Sequence, residues 1–448
     1  MKIYFFLGVL LAIGLVMGGF KNRQKPDGSQ QPNIIILFTD DMGYGDLGCY
    51  GNPIIRTPNI DALAEQGMRF TSFVTGSWCV PSRTQLMTGR YMPRVKFGGG
   101  TGADGEGGLP ESELTLAEGL KEAGYITGMA GKWHLGYKQK KFLPPNQGFD
   151  SWFGLPYSND YIKPWVKTDE PLGYYRGTEM LEHPINQDSL TVRYTEEAVS
   201  FIKSNAGKSQ PFFFYLAYNM PHLPIRTTQH FRGKSGAGLY GDVIQTIDWS
   251  VEQVLAALDE HGISDETIVF FASDNGPWMN MPERMQQAGN KPWHAGSPGP
   301  LRGSKATTYE GGTRVPAMIR WPGKILSKQV SDEMVASPDI YRTFLSLAGA
   351  EMPNHPIDGY DIMPFLQGQA EASPRKEYAY FLRDELQAMR IGDWKLRLAN
   401  GDPELFNLQT DPAERYNRAA ENPEIVKRIR KGMTQFAGEV GVKVSETK

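Results

Sequence analysis

The chain has little net charge and few histidines. The first speaks against nucleic-acid binding, and the second speaks against a metal site built from several histidines. Its 448 residues carry a formal net charge of -3 and include seven histidines. No basic stripe runs along any segment, so we expect no nucleic-acid partner. No segment repeats at a period of 20 to 50 residues, which excludes a solenoid.

Cysteine and glycosylation sites are also scarce. There are two cysteines, Cys49 and Cys79, and no Asn-x-Ser/Thr sequon occurs in the sequence. In an exported chain an even cysteine count first suggests a disulfide. So few cysteines and no sequon fit a bacterial envelope better than a eukaryotic secretory route.

The N-terminus carries an apolar run, residues 3–20, behind Lys2 and ahead of a polar stretch, residues 21–31. This order is typical of a signal peptide, so we expect a signal peptide at 1–20 and a polar linker at 21–31. An uncleaved anchor is the alternative, because the run approaches the roughly 18 apolar residues of a spanning helix. We therefore expect an exported protein, periplasmic or extracellular, that stays membrane-anchored if the segment is not cleaved.

Short apolar runs alternate with helix-like stretches over most of the chain. The runs are 34–38, 212–216, 268–272 and, more weakly, 125–130, and the helix-like stretches are 60–66, 114–123, 190–204 and 241–261. Uninterrupted apolar runs are typical of strands buried on both faces of a parallel sheet. The alternation predicts an α/β fold with a large, mostly parallel sheet sandwiched by helices.

The pattern changes after residue 349. Short runs at 387–391, 394–399 and 404–408 are separated by turn residues at 392–393 and 400–402. These features predict a small antiparallel sheet, closed by a last helix within 423–436. We therefore expect a catalytic domain at 32–349 and a C-terminal subdomain at 350–448.

Acidic and amide side chains follow two of the apolar runs. Asp40 and Asp41 come after the first run, and Asp274 and Asn275 come shortly after the run 268–272. Ligands of open parallel sheets gather at the carboxyl ends of the strands. Either pair alone is more often a turn or a helix cap, but together their oxygens favour a hard cation, Ca²⁺ or Mg²⁺.

The run at residues 79–90, CVPSRTQLMTGR, places Cys79 four positions before Arg83, ahead of a predicted helix. A helix N-terminus attracts an anion. A free cysteine is more commonly just a small buried residue. Lys132 and His134 are two apart, so they lie on one side of an extended backbone.

The run 79–90 matches the signature of the type I sulfatases, members of the alkaline phosphatase superfamily. The resemblance extends from Asn33 to near Asn417, and the segments 128–136 and 156–160 resemble the arylsulfatase A branch in particular. The resemblance implies an alkaline phosphatase-like fold and hydrolysis of a sulfate ester.

In that family a maturation enzyme oxidises the cysteine to formylglycine, whose aldehyde hydrates to a diol. One diol oxygen attacks sulfur and expels the alcohol, and loss of the second hydroxyl's proton releases sulfate. The resemblance therefore implies that Cys79 is modified and that a separate formylglycine-generating enzyme is a partner. It also implies one bound Ca²⁺, with Mg²⁺ as the alternative.

The resemblance also assigns roles to individual residues. The metal ligands would be Asp40, Asp41, Asp274, Asn275 and the group made from Cys79. Arg83 and His134 would hold the hydrated aldehyde, and sulfate oxygens would bind Lys132, Ser158 and Lys305. His222 would protonate the leaving alkoxide, with Lys305 as a possible partner, and His294 is a further candidate substrate-binding residue.

Two other functions remain open. A phosphomonoesterase or phosphodiesterase of the same superfamily would use a serine or threonine and two zinc ions, which need several histidine ligands, yet Asn275 stands where such enzymes usually carry histidine. A non-catalytic receptor for sulfated glycans would be expected to show a degraded motif, and none is seen. The expected export and a set of aromatic residues suggest a sulfated carbohydrate over another small sulfate ester, although such aromatics are equally often part of the core. The aromatic residues are Trp152, Trp165, Trp278 and Trp293. The oligomeric state is not predicted.

Overall fold

Seventeen strands form three sheets in the computed structural model, which describes residues 31–399 and 401–445. The strands are β1 (Asn33–Thr39), β2 (Met68–Phe70), β3 (Phe73–Val74), β4 (Ile126–Gly131), β5 (Ser151–Gly154), β6 (Tyr174–Arg176), β7 (Glu179–Glu182), β8 (Phe212–Ala217), β9 (Thr267–Ser273), β10 (Ala317–Arg320), β11 (Gln329–Ser331), β12 (Val335–Ala336), β13 (Glu377–Leu382), β14 (Glu385–Ile391), β15 (Trp394–Arg397), β16 (Glu404–Asn407) and β17 (Lys443–Val444).

Nine α-helices accompany the strands within the described residues. They are α1 (Pro58–Glu65), α2 (Cys79–Thr88), α3 (Leu116–Glu122), α4 (Leu190–Asn205), α5 (Gly238–Glu260), α6 (Glu310–Thr313), α7 (Ser337–Ala348), α8 (Met363–Leu366) and α9 (Pro423–Val440). None of these helices has the length and hydropathy needed to cross a membrane. The expected signal peptide and residues 21–30 of the expected linker lie outside the described residues.

The main sheet has ten strands in the order β11-β2-β10-β9-β1-β8-β4-β5-β6-β7. Its central strands β9, β1, β8, β4 and β5 are parallel. Antiparallel pairs join β10 to both β9 and β2, and β6 to both β5 and β7. The predicted mostly parallel sheet is confirmed, and all four predicted apolar runs lie in its centre.

Helices cover both faces of this sheet, as predicted. In β1, Ile34 and Ile36 pack into one apolar cluster with helices α2, α3 and α7, whereas Ile35 and Leu37 pack into another with α1, α4 and α5. Successive side chains of a strand point to opposite faces. An uninterrupted apolar run is therefore needed where both faces are covered.

The smaller C-terminal sheet has the antiparallel order β13-β14-β15-β16, and β17 pairs with β14 in parallel. Helix α9 buries Ile429, Met433 and Ala437 against it. The two predicted hairpins are present, whereas β13 and β17 were not predicted, and α9 continues to Val440 instead of ending by residue 436. Residues 32–399 and 401–445 belong to one compact unit, and a boundary after residue 349 stays a prediction.

Candidate active site

The five parallel central strands end at the same edge of the sheet, and each is followed by candidate residues. Strand β1 leads to Asp40 and Asp41, β9 to Asp274 and Asn275, β4 to Lys132 and His134, β5 to Ser158, and β8 to His222. Thr39 pairs with Ser273 in the register of β1 and β9. This register sets the Asp40–Asp41 pair beside the Asp274–Asn275 pair.

Cys79 is the first residue of α2, and its buried side chain reaches this edge. The Sγ atom, which marks where the oxygens of a formylglycine would lie, is 3.3 Å from Asp40 Oδ1 and 3.6 Å from Lys305 Nζ. Burial raises the pKa of the Cys79 thiol well above its usual value. Because the thiolate is the nucleophile, a thiol held protonated is inert. Cys49 and Cys79 are both free, so no disulfide joins them.

Arg83 lies one turn after Cys79 on the same face of α2. Its Nη2 atom is 3.0 Å from Asp274 Oδ2 and 3.4 Å from Asp40 Oδ2, and its Nη1 atom donates to Lys132 O at 3.0 Å. The guanidinium is buried. Arg83 therefore ties the helix that carries Cys79 to the carboxylates that follow β1 and β9.

The centre contains three buried carboxylates and three buried basic side chains, namely Asp40, Asp41, Asp274, Arg83, Lys132 and Lys305. Burial alone would raise the pKa of Asp40, but Lys132, His222, Arg83 and Lys305 together hold it well below its usual value. Burial and the neighbouring Asp40 raise the pKa of Asp274 to about 7. When all six side chains are ionised, the three acidic and three basic groups balance, so a divalent cation bound to the ionised carboxylates would give the site a net charge of +2.

The side-chain oxygens of the residues that follow β1 and β9 could act as ligands of such a divalent cation. Ligand atoms of Asp40, Asp41, Cys79 and His222 all lie within 4.8 Å of one another. The Oδ1 atom of Asn275 is buried without a hydrogen-bond partner, although its Nδ2 donates to Asp41 Oδ1 at 2.7 Å. An orphaned buried oxygen is costly unless something binds it. Carboxylate and amide oxygens are the ligands of hard cations.

His222 lies beside the metal-binding candidates. Its Nδ1 is 2.6 Å from Leu223 O and donates to it, which leaves Nε2 facing the site, 3.7 Å from Asp41 Oδ2 and 3.3 Å from Ser158 Oγ. Burial, followed by the charge of Lys305, holds the pKa of His222 well below its usual value. The imidazole is therefore neutral while no anion is bound.

Lys132 enters the site through a turn that needs glycine. Gly131 has φ 109°, and a Cβ there would lie 1.8 Å from Ala217 O. Lys132 Nζ then forms an ion pair with Asp40 and donates to Ser158 Oγ at 3.3 Å. His134, two residues on, has φ 60°, and its buried Nδ1 has no hydrogen-bond partner.

The predicted aromatic and histidine candidates lie in different surroundings. Trp278 packs against His222, with ring centroids 5.3 Å apart, and its ring is 4.4 Å from Lys305 Nζ. Trp152 belongs to the core of the sheet, whereas Trp293 is 73% exposed. His294 lies in a short 3-10 helix, Pro292–His294, where its Nδ1 accepts from Lys291 N. Its role in substrate binding stays a prediction.

One site residue was missed. Tyr215 lies within β8, and its hydroxyl accepts from Arg83 Nη1 at 3.3 Å. Because Tyr215 lies inside an apolar run, nothing in the sequence indicated that its hydroxyl contacts a site residue.

Comparison with known proteins agrees with this geometry. Residues 32–350 match the family model described as "Sulfatase", and residues 304–439 match "N-sulphoglucosamine sulphohydrolase, C-terminal". The chain is 36% identical to arylsulfatase A of Homo sapiens, over 90% of this chain and 87% of that protein. It is 40% identical to N-acetylgalactosamine-6-sulfatase of Rattus norvegicus, over 88% of this chain and 74% of that protein.

Two solved structures illustrate the similarity in fold. The structure of Ps i-CgsB in complex with k-i-k-neocarrahexaose has a TM-score of 0.79 and 28% identity, over 91% of this chain and 93% of that one. The PsFucS1 sulfatase from Pseudoalteromonas sp. has a TM-score of 0.82 and 27% identity, over 91% and 90% of the two chains.

Proposed function

This chain belongs to the sulfatase family of the alkaline phosphatase superfamily and is a sulfuric ester hydrolase, and we propose that it hydrolyses a sulfated carbohydrate with a formylglycine made from Cys79 and one bound calcium ion. The observation that carries the proposal is the position of Cys79. Its Sγ lies between Asp40 Oδ1 and Lys305 Nζ at the first residue of α2.

The inert thiol supports the modification. Burial keeps Cys79 protonated, so the unmodified side chain is a poor nucleophile. Formylglycine, as a hydrated aldehyde, would supply an oxygen nucleophile and a second hydroxyl group at this position. Arg83, one turn along α2, is the residue that would orient that group together with His134.

Asp40, Asp41, Asp274 and Asn275 would hold the metal, and the orphaned Asn275 Oδ1 supports that assignment. A bound Ca²⁺ would offset the charge on the sulfate oxygens and polarise the S–O bond. Mg²⁺ is the alternative ion. Because the carboxylates are already balanced by Arg83, Lys132 and Lys305, the added cation would favour an anionic substrate.

The remaining residues act on the sulfate and on the leaving alcohol. Lys132, Ser158 and Lys305 would bind sulfate oxygens, since fixed donors stabilise charge that spreads in the transition state. A bound anion opposes the effect of Lys305 on His222 and so raises its pKa. With its pKa raised, His222 takes up a proton from water on Nε2 and can pass it to the leaving alkoxide.

The relatives and the pocket walls support a carbohydrate substrate. Relatives about as similar as arylsulfatase A are named for N-acetylgalactosamine 6-sulfate, and the structure of Ps i-CgsB contains an oligosaccharide. Trp278 offers a ring beside His222, and aromatic rings can pack on sugar faces. A formylglycine-generating enzyme would be the maturation partner.

A substrate panel tests the proposal. Fully matured enzyme is assayed on sulfated mono- and oligosaccharides, an aryl sulfate and the matching phosphate esters, with Cys79→Ala as the inactive control. We expect sulfate release from at least one sugar sulfate and faster turnover of sulfates than of phosphates. Turnover of the aryl sulfate alone would contradict the carbohydrate assignment, and preferred turnover of phosphates would contradict the proposed reaction.

We also propose that the protein is exported, on the sequence pattern of residues 1–31. Fractionation of cells that express the full chain and a chain lacking residues 1–20 tests this. We expect the full chain outside the cytoplasm and the shortened chain inside it. Equal distribution of the two would contradict export.

A further inference from the structure

A cavity of about 930 Å³ opens beside the site, within the roughly 300–1,000 Å³ that is usual for ligand pockets. Its walls combine apolar surface from Tyr161, Trp165 and Val166 with the basic side chains of Lys163, Lys167 and Arg284. Such a lining suits a ligand that has both a flat apolar face and a negative charge.

Two contacts join this cavity to the reacting centre. The Tyr161 ring lies 6.1 Å from the ring of His134. On the other wall, the Arg284 guanidinium lies 5.7 Å from the Trp278 ring, which packs on His222. A molecule whose sulfate lies near Cys79 could therefore extend into the cavity.

A glycine-rich segment, residues 98–108, supports the cavity wall. A Cβ at Gly102 would lie 2.3 Å from the Tyr161 hydroxyl, and Thr168 Oγ1 donates to Asp104 Oδ1 at 2.9 Å. The close approach at Gly102 leaves no room for a side chain. The wall is therefore fixed by packing with a second segment.

The basic residues of the cavity differ in how far they are neutralised. Lys163 Nζ pairs with Asp169 Oδ1 at 2.8 Å. Arg284, whose side chain is 45% exposed, makes a 3.3 Å contact with the nearly buried Asp160. In the part of the chain that the structure describes, no carboxylate pairs with the exposed Lys167. Among the described residues Lys167 thus has no ion-pair partner, and Arg284 keeps 45% of its side chain exposed beside the same cavity.

We propose that this cavity binds the sugar next to the sulfated one, and that this neighbouring sugar carries an acidic group that pairs with Lys167 and Arg284. The inference rests on the proposed function, because it requires a carbohydrate substrate. The acidic group is a carboxylate or a second sulfate, since both are planar or compact anions that these cations recognise. Trp165 and Tyr161 provide the apolar wall for the sugar ring. The favoured substrate is then an acidic oligosaccharide.

Matched disaccharides test the subsite. The three substrates share the same sulfated sugar and differ in a neighbour that is a hexuronate, a sulfated hexose or a neutral hexose. An aryl sulfate is assayed alongside. For the wild type we expect kcat/KM for one or both acidic substrates to exceed that for the neutral one by about tenfold, with the preference falling as salt rises.

The variants are Lys167→Glu and, as a control with the same charge change, Lys203→Glu on the exposed face of α4. We expect Lys167→Glu to remove the preference of about tenfold and Lys203→Glu to keep it. Equal kcat/KM for all three disaccharides, or equal preferences in the two variants, would overturn the subsite and leave the proposed function intact. Hydrolysis of the aryl sulfate without any disaccharide would contradict both.

Discussion

The Sγ atom of Cys79 lies 3.3 Å from the Oδ1 atom of Asp40, and both side chains are buried. Asp40 is held as an anion by Lys132 and its other basic neighbours. The residue expected to carry the nucleophile thus touches a carboxylate expected to bind the metal. In the proposed reaction this contact would couple the chemistry of residue 79 to the bound metal.

Loss of a single carboxylate should remove the metal. Asp40→Ala and Asp274→Ala each take a charged ligand from a hard-cation site, so we expect calcium to fall from about one ion per chain towards none and activity to fall with it. Asp274→Asn, of nearly the same volume, should have the same effect. Atomic emission on dialysed protein measures the metal, with the exposed Asp332→Ala as control. Undiminished calcium in both alanine variants would refute the assignment.

The loss of activity caused by replacing His222 should depend on the leaving group of the substrate. If its Nε2 donates the proton, His222→Ala should slow sugar sulfates by roughly 10²- to 10⁴-fold and slow nitrophenyl sulfate far less, because a phenolate leaves without help. The exposed His230→Ala is the matched control. Circular dichroism must first show that the variant is folded. Equal losses on both substrates would make His222 a sulfate-binding residue.

A buried lysine should stabilise the packing of the C-terminal sheet against α6. Lys395 Nζ on β15 lies 2.9 Å from both Glu310 Oε1 and Glu414 Oε1, and all three side chains are fully buried. Lys395→Met leaves both carboxylates without this cation, which should lower the free energy of unfolding by about 3–5 kcal/mol. Denaturant unfolding measures it, with the exposed Lys376→Met as control. Equal stability of the two variants would show that the buried pairs contribute nothing.

The centre of the fold could be predicted because burial on both faces requires uninterrupted apolar runs such as those of β1 and β9. The edge strands β7 and β11 carry exposed residues and no such run, so nothing in the sequence marked them. Helix α9 extends beyond its predicted end because it stops at Gly441, whose φ of 77° is the left-handed conformation that ends a helix.

The residues of the site also differ in how far the sequence alone indicates them. The closeness of Asp40 and Asp274 could be predicted, since each follows a buried strand of one sheet, whereas their role as metal ligands stays a prediction. Lys305 lies in a long loop, so its role came only from the family resemblance. Arg284 lies 124 positions from Asp160 in the sequence, and only the folded chain brings them to one cavity.

The central claim is that Cys79 becomes formylglycine, and mass spectrometry of the peptide that contains residue 79 tests it most directly. The peptide is taken from enzyme fractions of different specific activity and is also treated with an aldehyde-selective reagent. We expect an aldehyde at residue 79 whose abundance rises in proportion to specific activity, and no turnover by Cys79→Ala. Fully active enzyme in which residue 79 is only unmodified cysteine would contradict the account.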